Sequence, residues 1–153
     1  MKKLVYLFVI GLFSISCKDK EAAPSKTELL TKAKWAWTAG TVSPAYDFFG
    51  DGKPISGDYR SKYPSCYQDD IHIFDAAGKY TADEGATKCD PSDPQIYSQG
   101  TWKWDVNETV IVITEDGAIR KWKVNELTET TLKVTEEAAE GGKTYTFQYT
   151  FSR

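Results

Sequence analysis

The sequence has one histidine, His72, and three cysteines, Cys17, Cys66 and Cys89, with no Cys-x-x-Cys spacing. Structural zinc sites draw on closely spaced Cys and His ligands, so a zinc site is not expected. Lys and Arg number 19 against 22 Asp and Glu, a formal net charge of −3, and no basic stripe occurs, so nucleic acid is not an expected partner. Long apolar runs are scarce too: the one run, "LVYLFVIGLF" from Leu4 to Phe13, has ten residues. At about 1.5 Å per residue it covers roughly half of a ~30 Å hydrocarbon core, too little to anchor a mature chain by spanning.

What flanks that run points to export. Lys2 and Lys3 precede it and "SISC", Ser14 to Cys17, ends it, which is the layout of a removable signal. The ending resembles a bacterial lipoprotein box, with Ser14 where Leu is commonest; the resemblance implies cleavage before Cys17 and acylation of that cysteine. Several chains on one residue give stable anchoring, because each buried CH₂ contributes ~0.8 kcal/mol. Residues 1–16 are therefore expected to be a signal peptide, 17–26 an acylated Cys with a charged, flexible tether, and 27–153 one domain. The cut removes two lysines and moves the formal charge to about −5 over the remaining 137 residues. "CKDKE" resembles the signals that send some Bacteroidetes lipoproteins to the outer face of the outer membrane. The expected location is the cell envelope, lipid-anchored at the outer membrane on its periplasmic face or at the cell surface. With Cys17 acylated, Cys66 and Cys89 remain as an even pair in an oxidising compartment, where a disulfide is expected.

The rest of the chain reads as β structure. "SKTE", Ser25 to Glu28, has capping-box spacing and predicts one short helix near 26–33. Aromatic and β-branched runs separated by turn residues predict strands near 35–43, 70–74, 79–83, 97–105, 109–114, 118–125, 131–136 and 144–152. "DAAG" at 75–78, "VNE" at 106–108 and "EDG" at 115–117 are hairpin signals. Eight sequential strands so joined predict an all-β, antiparallel up-and-down barrel. In "TYTFQYTF", Tyr145, Phe147, Tyr149 and Phe151 share one face, so one face of the sheet is buried. Trp35 with Trp37, Trp102 with Trp104, and Trp122 with Val124 repeat that spacing.

The chain from Leu29 to Arg153 resembles the lipocalin-like lipoprotein domains of Bacteroidetes. The resemblance lies in "LLTKAKWAW", "DFFGDGKPISGDY", "CYQDDIHIFDAAGKYTADEGATKCDPSDPQ" and "GTWKW". It implies a barrel whose base is plugged by Trp35 and a role in ligand binding. In related chains the first loop reads closer to Asp-x-Asn-Gly-Asp-Gly, from which Phe48 and Phe49 depart.

Tracing strand direction places the connections 44–69 and 84–96, the "EDG" turn and the segment 137–143 at one end, the mouth. The helix and Trp35 fall at the other. The Cys66–Cys89 disulfide is then expected to join two mouth loops. A ligand would enter beside Tyr46, Tyr59, Tyr63, Tyr67 and Tyr97. The ligand-facing candidates are Trp37, Trp102, Trp104, Trp122, Phe147 and Tyr149.

Catalysis has little support. His72 lies mid-strand in "DDIHIF" without a triad, and a hydrogen-bonded or exposed strand histidine is expected. Asp69 and Asp70 alternate across a strand. Asp47, Asp51, Gly52 and Asp58 take positions 1, 5, 6 and 12 of an EF-like loop, but Phe49 replaces the ligand at position 3, which favours an ordinary turn over a calcium site. No metal, no cofactor and no enzymatic activity are expected, and a monomer is. Two functions remain: a binder of a small apolar or amphiphilic molecule, or a solid-core barrel whose stapled loops dock a protein or glycan. Interior volume separates them.

Overall fold

A computed structural model describes residues 22–153. The segment 1–16, expected as a signal peptide, and Cys17, the expected lipidation site, lie outside the described residues. One short helix, α1 (Lys26–Thr31), precedes nine strands: β1 (Lys34–Tyr46), β2 (Ile55–Asp58), β3 (Ile71–Phe74), β4 (Lys79–Asp83), β5 (Ile96–Asp105), β6 (Val110–Glu115), β7 (Ala118–Leu127), β8 (Thr131–Glu140) and β9 (Lys143–Ser152). Every pairing is antiparallel, and β1 joins β9 to close the eight-stranded barrel β1-β3-β4-β5-β6-β7-β8-β9.

The helix forms where its caps dictate. Ser25 Oγ accepts from the Glu28 amide (3.2 Å), and the Ser25 amide donates to Glu28 Oε2 (2.8 Å), so two otherwise orphaned donors are satisfied. The helix lies across the lower end of the barrel, packed against β3 and β7. Trp35, fully buried, donates from Nε1 to the Leu30 carbonyl (2.9 Å), and Trp104 donates to Thr27 Oγ1 (3.0 Å). Each indole thus buries its rings and still finds an acceptor.

The lower half of the barrel is solid. Trp35, Phe74, Tyr80, Trp102, Ile111, Ile113, Trp122, Leu132, Val134 and Phe151 form one buried cluster with Leu30 of the helix. Gly100 of β5 is required by close approach: a Cβ there would overlap the Thr114 carbonyl of β6.

Two segments differ from the sequence expectation. The first is 44–69, expected as one long loop; it carries the ninth strand, β2, and two turns of 3₁₀ helix at Arg60–Lys62 and Ser65–Tyr67. Strand β2 pairs with the upper part of β1 (Thr41 with Asp58, Tyr46 with Ile55), on the edge that β3 occupies lower down. Its four residues include Gly57 at φ +77°, so no alternating pattern marks it. The second is 137–143, expected as a mouth loop. Strands β8 and β9 instead run on to pair Glu140 with Lys143. Gly141 and Gly142, both at positive φ (57° and 76°), supply the two-residue turn that a hairpin favours over the helical leaning of "EEAAE".

The disulfide joins Cys66, in the second 3₁₀ turn, to Cys89 in the connection after β4, with Cα atoms 5.2 Å apart. It closes a loop of 23 residues in sequence separation that contains the β3–β4 hairpin. Replacing both cysteines by Ser is expected to lower unfolding stability by about 3 kcal/mol, measured by urea unfolding of the full chain. A change near zero would mean that the mouth loops hold their positions without the crosslink.

Candidate functional site

Inward positions change character along each strand. From floor to mouth they read Phe74, His72, Asp70 on and just before β3; Tyr80, Ala82, Glu84 on and beyond β4; Ile111, Ile113, Glu115 on β6; Val124, Trp122, Arg120 on β7; and Leu132, Val134, Glu136 on β8. The period of two that fills the floor with hydrocarbon thus delivers a ring of charge near the mouth.

Above the floor lies a cavity of about 290 Å³, lined by Trp37, Phe48, Tyr59, Tyr63, Tyr67, Asp70, His72, Tyr97, Arg120, Trp122, Tyr149 and Phe151. The connection between β1 and β3 forms its roof. Phe48 stacks on Tyr59 (centroids 4.3 Å apart), and Tyr59 donates its amide to the Gly40 carbonyl of β1. The approach needs a glycine, since a Cβ on Gly40 would come within 2.9 Å of the Tyr59 ring and 2.8 Å of Trp37. Arg60 ties the roof down, donating from Nε to the Trp37 carbonyl (2.8 Å) and from Nη2 to the Gln68 carbonyl (2.6 Å). Its guanidinium also lies over the Trp37 ring at 5.6 Å.

Of the ligand-facing candidates, Trp37, Trp122 and Tyr149 line this cavity. Trp102 and Trp104 do not, because β5 descends from the mouth and residues 102 and 104 fall at its lower end, in or against the floor cluster. Phe147 does not either: it is buried in a side cluster with Val42 and Tyr59. Tyr59, Tyr63, Tyr67 and Tyr97 reach the cavity, whereas Tyr46 packs outside it against Phe48 and Tyr145. Tyr97 arrives through a β-bulge. Ala82 pairs with Ser98 and Asp83 with Ile96, leaving Tyr97 as the extra residue whose side chain is redirected.

Asp70 and His72, weighed in the sequence only for catalysis, and Arg120, which no motif marks, all line the cavity. The strand period does signal them, since Asp70 and His72 stand four and two residues before buried Phe74, and Arg120 two before buried Trp122. Arg120 donates from Nε and Nη2 to the two oxygens of Glu136 (3.0 and 2.7 Å) and from Nη1 to Glu115 (3.4 Å). Burial opposes its charge, but the Glu136 carboxylate more than offsets that and holds it protonated. It also lies 5.0 Å over the Trp122 ring. His72 Nδ1 shares a 2.6 Å hydrogen bond with the Tyr80 hydroxyl, and burial, with Arg120 nearby, pulls its pKa down to about 3, so it is neutral at pH 7. Asp70 is the opposite case. It is 8% exposed, its Oδ1 has no hydrogen-bond partner, and burial pushes it up from 3.8 to about 6. The Tyr97 hydroxyl lowers that value, while Glu84, Asp69 and Asp83 add to the rise.

The acidic first loop is occupied with itself. Asp47 accepts from the Asp51 and Gly52 amides (3.2 and 2.9 Å), and Asp51 pairs with Lys53. Asp58 lies apart on β2, opposite Thr41. Among the described residues no group of three or more His, Cys, Asp or Glu is arranged to hold a metal ion.

Asp70 ionises at a cost to the fold. The unfolded carboxyl loses its proton near 3.8 and the folded one near 6, so stability declines as pH rises between them and the whole cost is present above 6. Asp70→Asn is therefore expected to raise unfolding stability by about 2–3 kcal/mol at pH 8, with the gain vanishing below pH 4. His72 works in the other direction, its stabilisation being lost as pH falls from 6.5 toward 3, but it is common to both proteins and cancels in the difference. Urea midpoints at pH 4, 6 and 8 check this; a variant less stable at pH 8 would contradict it.

A family model for lipocalin-like domains matches residues 32–134, which takes in β1 through most of the barrel wall and the residues Trp37 to Trp122 of the cavity. No curated protein matches the chain. The closed antiparallel barrel, its helical base and the match together identify the chain as a member of the lipocalin-like domain family.

Proposed function

We propose that this chain is a cell-envelope lipoprotein, tethered through an acylated Cys17, whose barrel holds one small ligand in the mouth cavity and has no enzymatic role. The observation that carries the binding reading is the division of the interior. Its floor is filled from Trp35 to Ile113, while about 290 Å³ stays open above Trp122 and Phe151. An eight-stranded barrel has room to be filled or to hold one small molecule, and here the two outcomes are stacked. The volume sits near the lower limit of small-molecule pockets, which favours a compact, one-ring ligand over a long acyl chain. The cell-envelope reading is supported by the run from Lys2 to Cys17 and by the charged tract that follows it.

The binding reading is tested on the full chain, extracted in mild detergent from the cells that make it, by native mass spectrometry and tryptophan fluorescence. A co-purifying small molecule, with fluorescence that rises when it is removed, is expected because Trp37 and Trp122 line the cavity. A bare mass, with no quenching by a panel of one-ring probes, would contradict it and favour the docking of a larger partner on exposed Phe49 and Tyr67.

The anchor is tested separately. Cys17→Ser is expected to move the protein from the membrane pellet to the soluble fraction. Continued extraction by detergent alone would contradict the lipoprotein reading.

A further inference from the structure

We infer that the ligand of the mouth cavity is a primary or secondary amine, its N–H⁺ group set against Asp70 and its small aromatic or aliphatic body against the surrounding rings. The inference deepens the binding reading and rests on it.

Asp70 is over nine-tenths buried, lines the cavity, and leaves Oδ1 with no donor. A buried carboxylate short of donors is costly, so the persistence of Asp70 at a cavity wall points to a donor supplied to its carboxylate from the cavity side. A charged N–H is the strongest such donor. A quaternary ammonium lacks the hydrogen, and a hydrocarbon ligand would leave the carboxylate as it is.

The field in the cavity selects the same sign. Arg120 is the one cation lining the wall among the described residues, and its guanidinium is taken up by Glu136 and Glu115. With His72 neutral, Asp70, Glu115, Glu136 and Glu84, the last 6% exposed with Oε2 also unpartnered, stand against two positive charges, Arg120 on the wall and Arg60 over Trp37 at the roof. An anionic ligand would meet net negative charge and an arginine with its strongest donors engaged. Trp37, Trp122 and Tyr149 already carry an arginine over their rings. Phe48, Tyr63 and Tyr67 carry none among the described residues, and they are placed to flank the body and the ammonium of a ligand.

The test is isothermal titration calorimetry of the full chain in detergent at pH 7.5 with three probes of one size: 2-phenylethylamine, 2-phenylethanol and phenylacetate. The amine is expected to bind roughly ten- to a hundredfold more tightly than the alcohol, with phenylacetate weakest. In Asp70→Asn the preference for amine over alcohol should collapse toward one. The amine's affinity should also fall as pH drops through about 6, where Asp70, facing Tyr97, Glu84, Asp83 and Asp69, takes up its proton. Equal binding of amine and alcohol, a preference for phenylacetate, or an amine preference that survives Asp70→Asn would overturn the amine assignment while leaving the cavity a binding site. Failure of all three probes to bind or to quench tryptophan fluorescence would overturn both.

Discussion

The structure depends on β1 being paired along both of its edges. One edge runs with β9 from Ala36 to Ser43; the other takes β3 at its start and β2 at its end. Without that double pairing the sheet would have two long edges and no enclosed interior. A 13-residue strand serving three partners must bend, and the extra residue at Thr38, between the Trp37–Phe151 and Ala39–Thr150 pairs, provides the bend. The bulge also changes which residues face inward. Trp35 and Trp37 do so below it, Gly40 and Val42 above it. The lower half of the strand therefore supplies bulk to the floor, and the upper half supplies the clearance in which Tyr59 roofs the cavity.

Closure turns the alternation of each strand into a shared interior, and the inward side chains divide that interior by height. Hydrocarbon packs the floor, and the strand ends toward the mouth contribute carboxylates and one arginine. Glu115, Arg120 and Glu136 form a network in which Trp122 also donates to Glu136 (3.1 Å), so most of this charge is paired. Asp70 stands outside the network. A side chain that weakens the fold while facing a cavity marks that wall as a candidate site, since an amide or hydrocarbon there would be more stable. This residue, together with the roof set by Arg60 and Gly40, is what separates the domain from a filled barrel.

Much of the fold is legible in the sequence because its signals are local. The Ser25–Glu28 capping box marks the helix, the alternation from Tyr145 to Phe151 marks the last strand, and "DAAG" and "EDG" mark hairpins. The Cys66–Cys89 disulfide follows from the cysteine count, these two being the pair left once Cys17 is set aside, and strand direction puts both residues at the mouth. The rest depends on non-local geometry. Bulges at Thr38, Tyr97 and Asn125 shift the inward parity within strands, so a face assigned from one end does not hold to the other. Height along the barrel axis decides whether an inward tryptophan is floor or wall. By that measure Trp102 and Trp104 fall in or against the floor, while Asp70, His72 and Arg120 line the cavity. Strand β2 is held by pairing with β1 and by the aromatic cluster around Tyr59, neither of which its own four residues announce.

The central claim is that Asp70 is held buried at the wall of an open cavity, with Oδ1 unpartnered and, among the described residues, no cation beside it. The measurement that tests it most directly is a carbon-13 NMR titration of the Asp70 carboxyl in the full chain, assigned by comparison with Asp70→Asn. A midpoint near 6 is the predicted result. A midpoint at or below 4 would contradict the account, because it would mean that Asp70 is already solvated or paired and that the cavity has no charge waiting for a ligand.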